Sequence, residues 1–265
     1  MKKKRTDLWI GFLLGSTMSV PGVSGGTMAL ALGYYNPILN AASHLRRKGS
    51  LPFLLRILCG GLAGFLLGAS LLNYMLNLVP ITVTVLFLGA VGTGIFLFSR
   101  ETLKKGIGIG EIFCLLLGLA AVLVIDNLPQ NAGTQTPFLS LLWGILLSVG
   151  LILPGISTSH LLTVFGLYGV VTDFSSENIL RLFPLGFGVF LGILLLTKPL
   201  AIALERWEGA CNCLLLGFAV GSLKGLAEPC FDSPQIDFIP LFQTVSGILL
   251  AIGACLLILK CKNGK

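Results

Sequence analysis

Charged side chains are the residues that this sequence lacks most. Lys, Arg, Asp and Glu together make up 11% of its 265 residues, whereas a soluble domain carries about a quarter. Hydrophobic residues make up 55% of the chain, and the mean hydropathy is +0.94. So few polar groups cannot cover a water-soluble globule of this size. The composition therefore excludes a soluble protein and predicts an integral membrane protein.

The cysteines lack any framework spacing. There are seven, an odd number, and Cys59, Cys114 and Cys255 lie in apolar stretches, where cysteine behaves as a small hydrophobic residue. Cys211 and Cys213 have no matching Cys or His pair that would complete a metal site. We therefore predict no disulfide, no metal and no cofactor.

A short motif occurs twice in the chain. Residues 20–24 (VPGVS) reappear as residues 153–157 (LPGIS). Three further pairs match after the motif: Gly33 with Gly166, Tyr35 with Tyr168, and residues 55–58 with residues 180–183. Duplicated halves are common among secondary transporters. We predict one integrated membrane domain made of a first repeat, residues 1–130, and a second repeat, residues 131–265. The basic, then apolar, N-terminus imitates a signal peptide, but its continuation into a repeat predicts that it is retained.

The Pro-Gly pair in each motif breaks a helix that is too short to span lipid. Residues 8–20 form about 20 Å of helix, while the hydrocarbon core is about 30 Å thick. Pro21 removes a backbone donor and Gly22 frees the backbone to turn, and Pro154 and Gly155 do the same in the second copy. We predict two re-entrant hairpins, residues 8–39 and 138–171. A kinked single span is the competing interpretation.

Three apolar stretches follow each hairpin. The predicted spans are residues 57–79, 81–98 and 107–125 in the first repeat, and residues 182–204, 210–227 and 238–259 in the second. Because three is an odd number, the second repeat must be inverted relative to the first. The predicted fold class is an all-α integral membrane protein with two inverted-topology repeats, each a re-entrant hairpin plus three transmembrane helices.

The basic residues test this topology. It places sixteen of the eighteen Lys and Arg residues on one side, and only Arg181 and Lys224 on the other. Counting each hairpin as a full span would put residues 46–48 opposite the N-terminal basic cluster and weaken the bias. The positive-inside rule then predicts a multi-pass protein of the cytoplasmic membrane with both termini cytoplasmic. The net charge of +7 thus reflects topology and does not indicate a nucleic-acid partner.

The residues after each Pro-Gly pair are candidates for anion binding. A helix that begins at membrane depth presents free N–H groups and the positive end of its dipole. The candidate residues are Ser24, Gly25, Gly26 and Thr27 in the first hairpin, and Ser157, Thr158, Ser159 and His160 in the second. Their hydroxyls and amides can surround phosphate oxygens. The alternative is that Ser and Thr merely cap the broken helices.

Arg56 and Arg181 follow the hairpins at the entry to the next helix, on opposite faces of the predicted membrane domain. Arginine binds phosphate through two parallel hydrogen bonds and keeps its charge. The alternative for Arg56 is snorkelling at the cytoplasmic border. His160 is either a proton carrier or an ordinary polar contact. The coupling ion, a proton or sodium, stays open.

The two motifs occur in the order and at the separation that are typical of the bacterial polyprenyl-phosphate transporter family. The chain resembles this family over nearly its whole length. The resemblance implies translocation of undecaprenyl phosphate across the cytoplasmic membrane for recycling of the lipid carrier in cell-envelope synthesis. Met18, Ser19, Thr158 and His160 depart from the family pattern. They bear on the headgroup contacts and on proton coupling, but not on the fold.

Two alternatives from other classes stay open. A membrane-embedded polyprenyl-pyrophosphate phosphatase also uses re-entrant hairpins with a Pro-Gly-x-Ser motif. It would need intramembrane carboxylates for metal and acid–base chemistry, and the hairpins have none apart from Asp7 at the edge. A transporter of a soluble anion would use the same helix-end site. We therefore predict a lipid transporter and not an enzyme.

Overall fold

The computed structural model describes residues 2–18, 24–104, 106–128, 136–156, 158–167, 176–231, 245–249 and 251–253. The described residues are helical and contain no strand. The helices are α1 (Lys2–Thr17), α2 (Gly25–Ala31), α3 (Tyr35–Ser43), α4 (Ser50–Ala63), α5 (Ala69–Leu78), α6 (Pro80–Leu103), α7 (Ile109–Asp126), α8 (Pro137–Ile152), α9 (Thr158–Val164), α10 (Ser176–Arg206) and α11 (Glu208–Phe231). A π-helical turn, Gly64–Gly68, joins α4 to α5, and residues 245–249 and 251–253 are also helical.

Five helical stretches are long and apolar enough to cross a membrane: Ser50–Leu67, Pro80–Leu103, Ile109–Asp126, Leu182–Arg206 and Glu208–Ala227. They overlap five of the six predicted spans. The sixth, residues 238–259, lies mostly outside the described residues. Large apolar side chains such as Leu66 and Ile109 are exposed, as expected of helices that face lipid tails. The predicted all-helical membrane protein is confirmed at this level.

Two helices begin earlier than the sequence predicted. The helix predicted from residue 57 begins at Ser50, because Gly49 ends the preceding turn with a positive φ of 98° and Pro52 suits the first turn of a helix. The helix predicted from residue 182 begins at Ser176. Arg56 and Arg181 therefore lie within the first two turns of their helices, not before them.

The second arm of the first hairpin is also shorter than predicted. It is not one helix over residues 23–39, because Gly33 adopts a φ of 71° and separates α2 from α3. The Tyr34 N–H donates to the Ala29 carbonyl at 2.8 Å, and the Gly33 N–H donates to the Leu30 carbonyl at 3.0 Å. This is the closure typical of a glycine that ends a helix.

The second hairpin repeats these elements. Gly166 has a φ of 68°, and the Leu167 N–H donates to the Leu162 carbonyl at 2.7 Å, which is the same closure. In each hairpin a helix of 16 residues is followed by the break and then by a helix of 7 residues. A 16-residue helix is about 24 Å long, which is shorter than the hydrocarbon core.

Glycines bring the first arm of each hairpin against the next long helix. In the first half, Gly60 packs on the Leu8 carbonyl and Gly64 on the Phe12 carbonyl, so α1 and α4 run in the same direction. In the second half, Gly188 packs on the Leu141 carbonyl and Gly192 on the Ile145 carbonyl, so α8 and α10 are parallel as well. Small residues permit such close backbone approach in a membrane.

The two halves of the chain share one core. From the first half, α7 packs along α11 of the second, with Gly118 against the Leu214 carbonyl and Gly217 against the Leu115 carbonyl. In the same way α6 contacts the last described residues, since Thr82 Oγ1 and Ser246 Oγ lie 3.1 Å apart. Helices α6 and α11 also pack on each other and contribute buried residues such as Val91 and Ala219.

Candidate functional site

Residues that follow the first Pro-Gly pair contact the second Pro-Gly pair inside the protein. The Gly155 N–H donates to Thr27 Oγ1 at 2.7 Å and to Ser24 Oγ at 3.2 Å. The two hydroxyl oxygens lie 2.8 Å apart. Ser24 is 3% exposed and Thr27 is 1% exposed. We call Ser24, Gly26, Thr27, Pro154 and Gly155 the hairpin junction.

Glycine permits close packing at two places in the hairpin junction. Gly155 has a φ of 90°, and a side chain there would meet the Phe218 carbonyl of α11. At Gly26 a Cβ atom would lie 3.1 Å from both the Cα and the N atom of Pro154. Gly26 therefore serves the close approach of the two hairpins, whereas Gly155 serves the packing of the second hairpin on α11 in addition to the turn predicted from the sequence.

The capping alternative holds for Ser24. Its side chain accepts a hydrogen bond from the Thr27 N–H at 3.1 Å and so caps α2. Ser24 and Thr27 also reach across to the second motif, which capping alone does not require. Helix α2 has only two turns, so hydroxyls and amides dominate the polar character of the junction, and the helix dipole contributes little.

Among the described residues, one of the two hydroxyl protons in the junction has no hydrogen-bond acceptor. Each hydroxyl has one proton and can accept two hydrogen bonds. The Gly155 and Thr27 N–H groups use acceptor positions on the two oxygens, and one hydroxyl proton serves the bond between Ser24 and Thr27. Among the described residues, the other hydroxyl proton has no acceptor. Within the described part of the chain, this proton is therefore available to one more oxygen.

The other predicted site residues divide into three groups. Gly25 lies against the Met18 side chain, and Thr158 is the half-buried first residue of α9. Ser159, His160 and Arg181 occupy described helices, but their side chains are outside the described set. Pro21, Gly22 and Ser157 lie outside the described residues altogether.

Arg56 does not belong to the hairpin junction. Its Nε donates to Asp7 Oδ2 at 3.0 Å and ties α4 to α1. Asp7 precedes the end of α1 at Thr17 by ten residues, about 15 Å of helix. Arg56, which was predicted to bind phosphate, is thus paired with a carboxylate of the protein near the start of α1.

The structure also corrects the predicted correspondence between Arg56 and Arg181. Gly60 and Gly188 make equivalent contacts, with Leu8 and Leu141 respectively. Four residues before these glycines lie Arg56 and Pro184. The counterpart of Arg56 in the second half is therefore Pro184 and not Arg181. The match between residues 55–58 and 180–183 is therefore displaced by three residues from the packing register.

Three buried polar groups were missed by the sequence reasoning. Asp7 was dismissed as an edge residue, yet its side chain is 5% exposed and ion-paired. The Tyr35 hydroxyl and Asn212 Oδ1 are buried without a hydrogen-bond partner in the described part of the chain. The recurrence of Tyr35 as Tyr168 was a signal for the Tyr35 hydroxyl, and the position of Asp7 directly before an apolar stretch was a signal for the ion pair.

The sequence matches a described family and two curated relatives. A family model described as undecaprenyl phosphate translocase-like matches residues 14–228. A polyprenyl-phosphate transporter of Staphylococcus aureus is 34% identical over 263 residues, covering 91% of this chain and 93% of the relative. A polyprenyl-phosphate transporter of Vibrio cholerae is 27% identical over 238 residues, covering 80% of this chain and 74% of the relative. No solved structure matches the chain.

Proposed function

The chain belongs to the undecaprenyl phosphate translocase-like family, and we propose that it carries undecaprenyl phosphate across the cytoplasmic membrane for reuse in cell-envelope synthesis. The names of its relatives in Staphylococcus aureus and Vibrio cholerae support a polyprenyl phosphate as substrate. The observation that carries the proposal further is the hairpin junction, where two copies of one motif share hydrogen bonds in the protein interior.

In this proposal each hairpin enters the membrane and returns to the same side. The parallel packing of α1 and α4 supports it, because two consecutive full crossings would run in opposite directions. The chain between Thr17 and Ser50 must instead return to the level at which α1 begins. The parallel packing of α8 and α10 supports the same path for the second hairpin.

The two halves are proposed to be inverted relative to each other. Helices α6 and α11 correspond in the two halves, since both contain 24 residues and follow the helix that packs on the hairpin. Helix α7 runs parallel to α11, with Gly118 near Leu214 and Val122 near Gly221. In the proposed topology α6 and α7 are consecutive crossings and run in opposite directions, so α6 and α11 would also run in opposite directions. This arrangement would leave both termini on one side of the membrane, and the distribution of Lys and Arg supports the cytoplasmic side.

The hairpin junction is proposed to bind the phosphate headgroup. Phosphate needs hydrogen-bond donors at membrane depth, because transfer of an anion into hydrocarbon carries a large desolvation cost. Separation of the two hairpins would free the Gly155 N–H for a phosphate oxygen, together with the hydroxyl proton that has no acceptor among the described residues. The polyprenyl tail would stay in the lipid throughout. Ser157, Thr158, Ser159 and His160 would supply the equivalent groups of the second hairpin.

Inverted repeats then allow the same site to face either leaflet. Rocking of one half against the other exposes a midplane site to alternate sides in transporters of this architecture. We assign to Arg181 the capture of the headgroup from the outer leaflet and to Arg56 its release on the cytoplasmic side. Both assignments follow from the proposed topology and from the affinity of arginine for phosphate.

The test uses purified protein in vesicles that contain undecaprenyl phosphate. Headgroup accessibility in each leaflet is followed over time, and inorganic phosphate is assayed in the same samples. We expect leaflet exchange well above that of protein-free vesicles and no release of phosphate. Absence of exchange by folded protein would contradict the proposal.

Two further outcomes would identify the alternatives. Phosphate release from undecaprenyl pyrophosphate, without leaflet exchange, would indicate a phosphatase. Uptake of free phosphate into the same vesicles, again without lipid exchange, would indicate a carrier of a soluble anion.

A further inference from the structure

The ion pair between Asp7 and Arg56 is present in only one of the two equivalent helix pairs. Asp7 precedes Leu8, and its counterpart in the second half is Ser140, which precedes Leu141. The counterpart of Arg56 is Pro184. The seam between α8 and α10 therefore lacks this charge pair, although its glycine contacts are the same. A pair needed only to hold the two helices together would be expected in both seams.

The geometry of the pair leaves most of Arg56 available. Asp7 accepts from Nε at 3.0 Å, and its own side chain is 5% exposed. No contact among the described residues engages the two terminal nitrogens of Arg56, whose side chain is 25% exposed. Those nitrogens form the planar edge that binds two oxygens of a phosphate.

We propose that Asp7 is a positioning residue, which holds Arg56 through Nε so that its terminal nitrogens face the phosphate of the lipid. The proposal rests on the proposed function, in which Arg56 meets the headgroup on the cytoplasmic side. A free arginine side chain has many rotamers, and fixing it beforehand reduces the entropy lost on binding. Asp7 acts through Arg56 and does not itself touch the substrate.

The experiment measures the apparent KM for undecaprenyl phosphate in leaflet exchange, at a series of lipid fractions in vesicles. KM is the chosen readout because it does not depend on the amount of folded protein. Asp7→Ala removes the acceptor and is expected to raise KM about tenfold, because Arg56 would then lose its rotamer freedom only when the phosphate binds. Asp7→Asn keeps an acceptor oxygen and is expected to leave KM within about threefold of the wild-type value.

A double-variant cycle shows whether Asp7 acts through Arg56. In an Arg56→Gln background, Asp7→Ala is expected to have no further effect on KM. Ser140→Ala, at the equivalent buried position of α8, is the matched control and is expected to leave KM unchanged.

The results separate this proposal from the proposed function. If the wild-type protein exchanges no lipid, the proposed function fails. If the wild-type protein exchanges lipid but Asp7→Ala leaves KM unchanged, the positioning role is wrong while the function stands. The positioning role is also wrong if Asp7→Asn matches Asp7→Ala, or if Asp7→Ala raises KM equally in the Arg56→Gln background.

Discussion

Ser24 and Thr27 each serve both hairpins. Ser24 caps α2, and both side chains accept from the Gly155 N–H of the other hairpin. A buried N–H group that loses its acceptor costs about 1–3 kcal/mol. The two hydroxyls therefore stabilise the closed junction and, in our proposal, become available to the phosphate when it opens.

The first prediction concerns Thr27→Val, which keeps the side-chain shape and removes the hydroxyl. The Gly155 N–H would keep only its longer bond, to Ser24, and the junction would lose a phosphate ligand. We expect the free energy of unfolding to fall by about 1–3 kcal/mol and the exchange rate of folded protein to fall about tenfold or more. Thermal unfolding in detergent and leaflet exchange in vesicles measure the two effects.

Thr102→Val provides the matched control. Thr102 is also buried, but its hydroxyl donates to the Phe98 carbonyl within its own helix, and that carbonyl is already part of the helical ladder. We expect nearly wild-type stability and exchange. Equal losses in the Thr27 and Thr102 variants would contradict the role assigned to the junction.

At the residue scale, sequence reasoning singled out residues of both motifs but not the hydrogen bonds between them. The repeated Pro-Gly motif was enough to single out Ser24, Thr27 and Gly155. The hydrogen bonds between the copies join residues about 130 positions apart, and no local pattern encodes such a distance. The same limit explains why Arg56 was matched with Arg181: two similar four-residue segments outweighed a packing register that only the glycine contacts reveal.

At the scale of helices, the seams at α1–α4 and α8–α10 depend on a few glycines. Gly188 packs against the Leu141 carbonyl, whereas Gly186, two residues earlier on α10, has open space where its Cβ would be. A spacing of four residues, as in Gly60, Gly64 and Gly68 and in Gly188 and Gly192, is typical of helix contacts in lipid. It did not distinguish glycines in a seam from those that face outwards, because both occur in the same helix.

The second prediction compares Gly188→Ala with Gly186→Ala. The added methyl group of Gly188→Ala must push α8 away, so we expect a loss of about 1–3 kcal/mol in the free energy of unfolding. Gly186→Ala should be neutral or stabilise the helix by up to about 1 kcal/mol, because alanine is the better helix former. Thermal unfolding measures the stability of the two variants. If Gly186→Ala is less stable than Gly188→Ala, the proposed contact between α8 and α10 at Gly188 is wrong.

For the whole molecule, the apolar stretches of the sequence predicted the positions of the five long helices that the structure describes. Boundaries were less accurate. The start of α4 at Ser50 depends on the turn at Gly49, and the break at Gly33 depends on a positive φ. Hydropathy does not register either feature, because both depend on the backbone dihedral angle of a glycine.

The third prediction tests the proposed topology. In an active variant freed of its native cysteines, Asn127→Cys follows α7 and Lys48→Cys precedes α4, and both positions are exposed. We expect a membrane-impermeant maleimide to label Asn127→Cys on intact cells, and to label Lys48→Cys only after the membrane is opened. A first hairpin that crossed the bilayer once would reverse the result at Lys48→Cys.

The contact of α7 with α11 constrains how the protein can be made. The ribosome completes α6 and α7 long before α11 and residues 245–253 exist. The surfaces of α6 and α7 that contact the second half are therefore exposed to lipid until that half is inserted. A nascent chain halted near residue 130 would expose those faces to other proteins or to the insertion machinery. Biosynthesis therefore ends in one late assembly step, in which the second half joins helices that were inserted earlier.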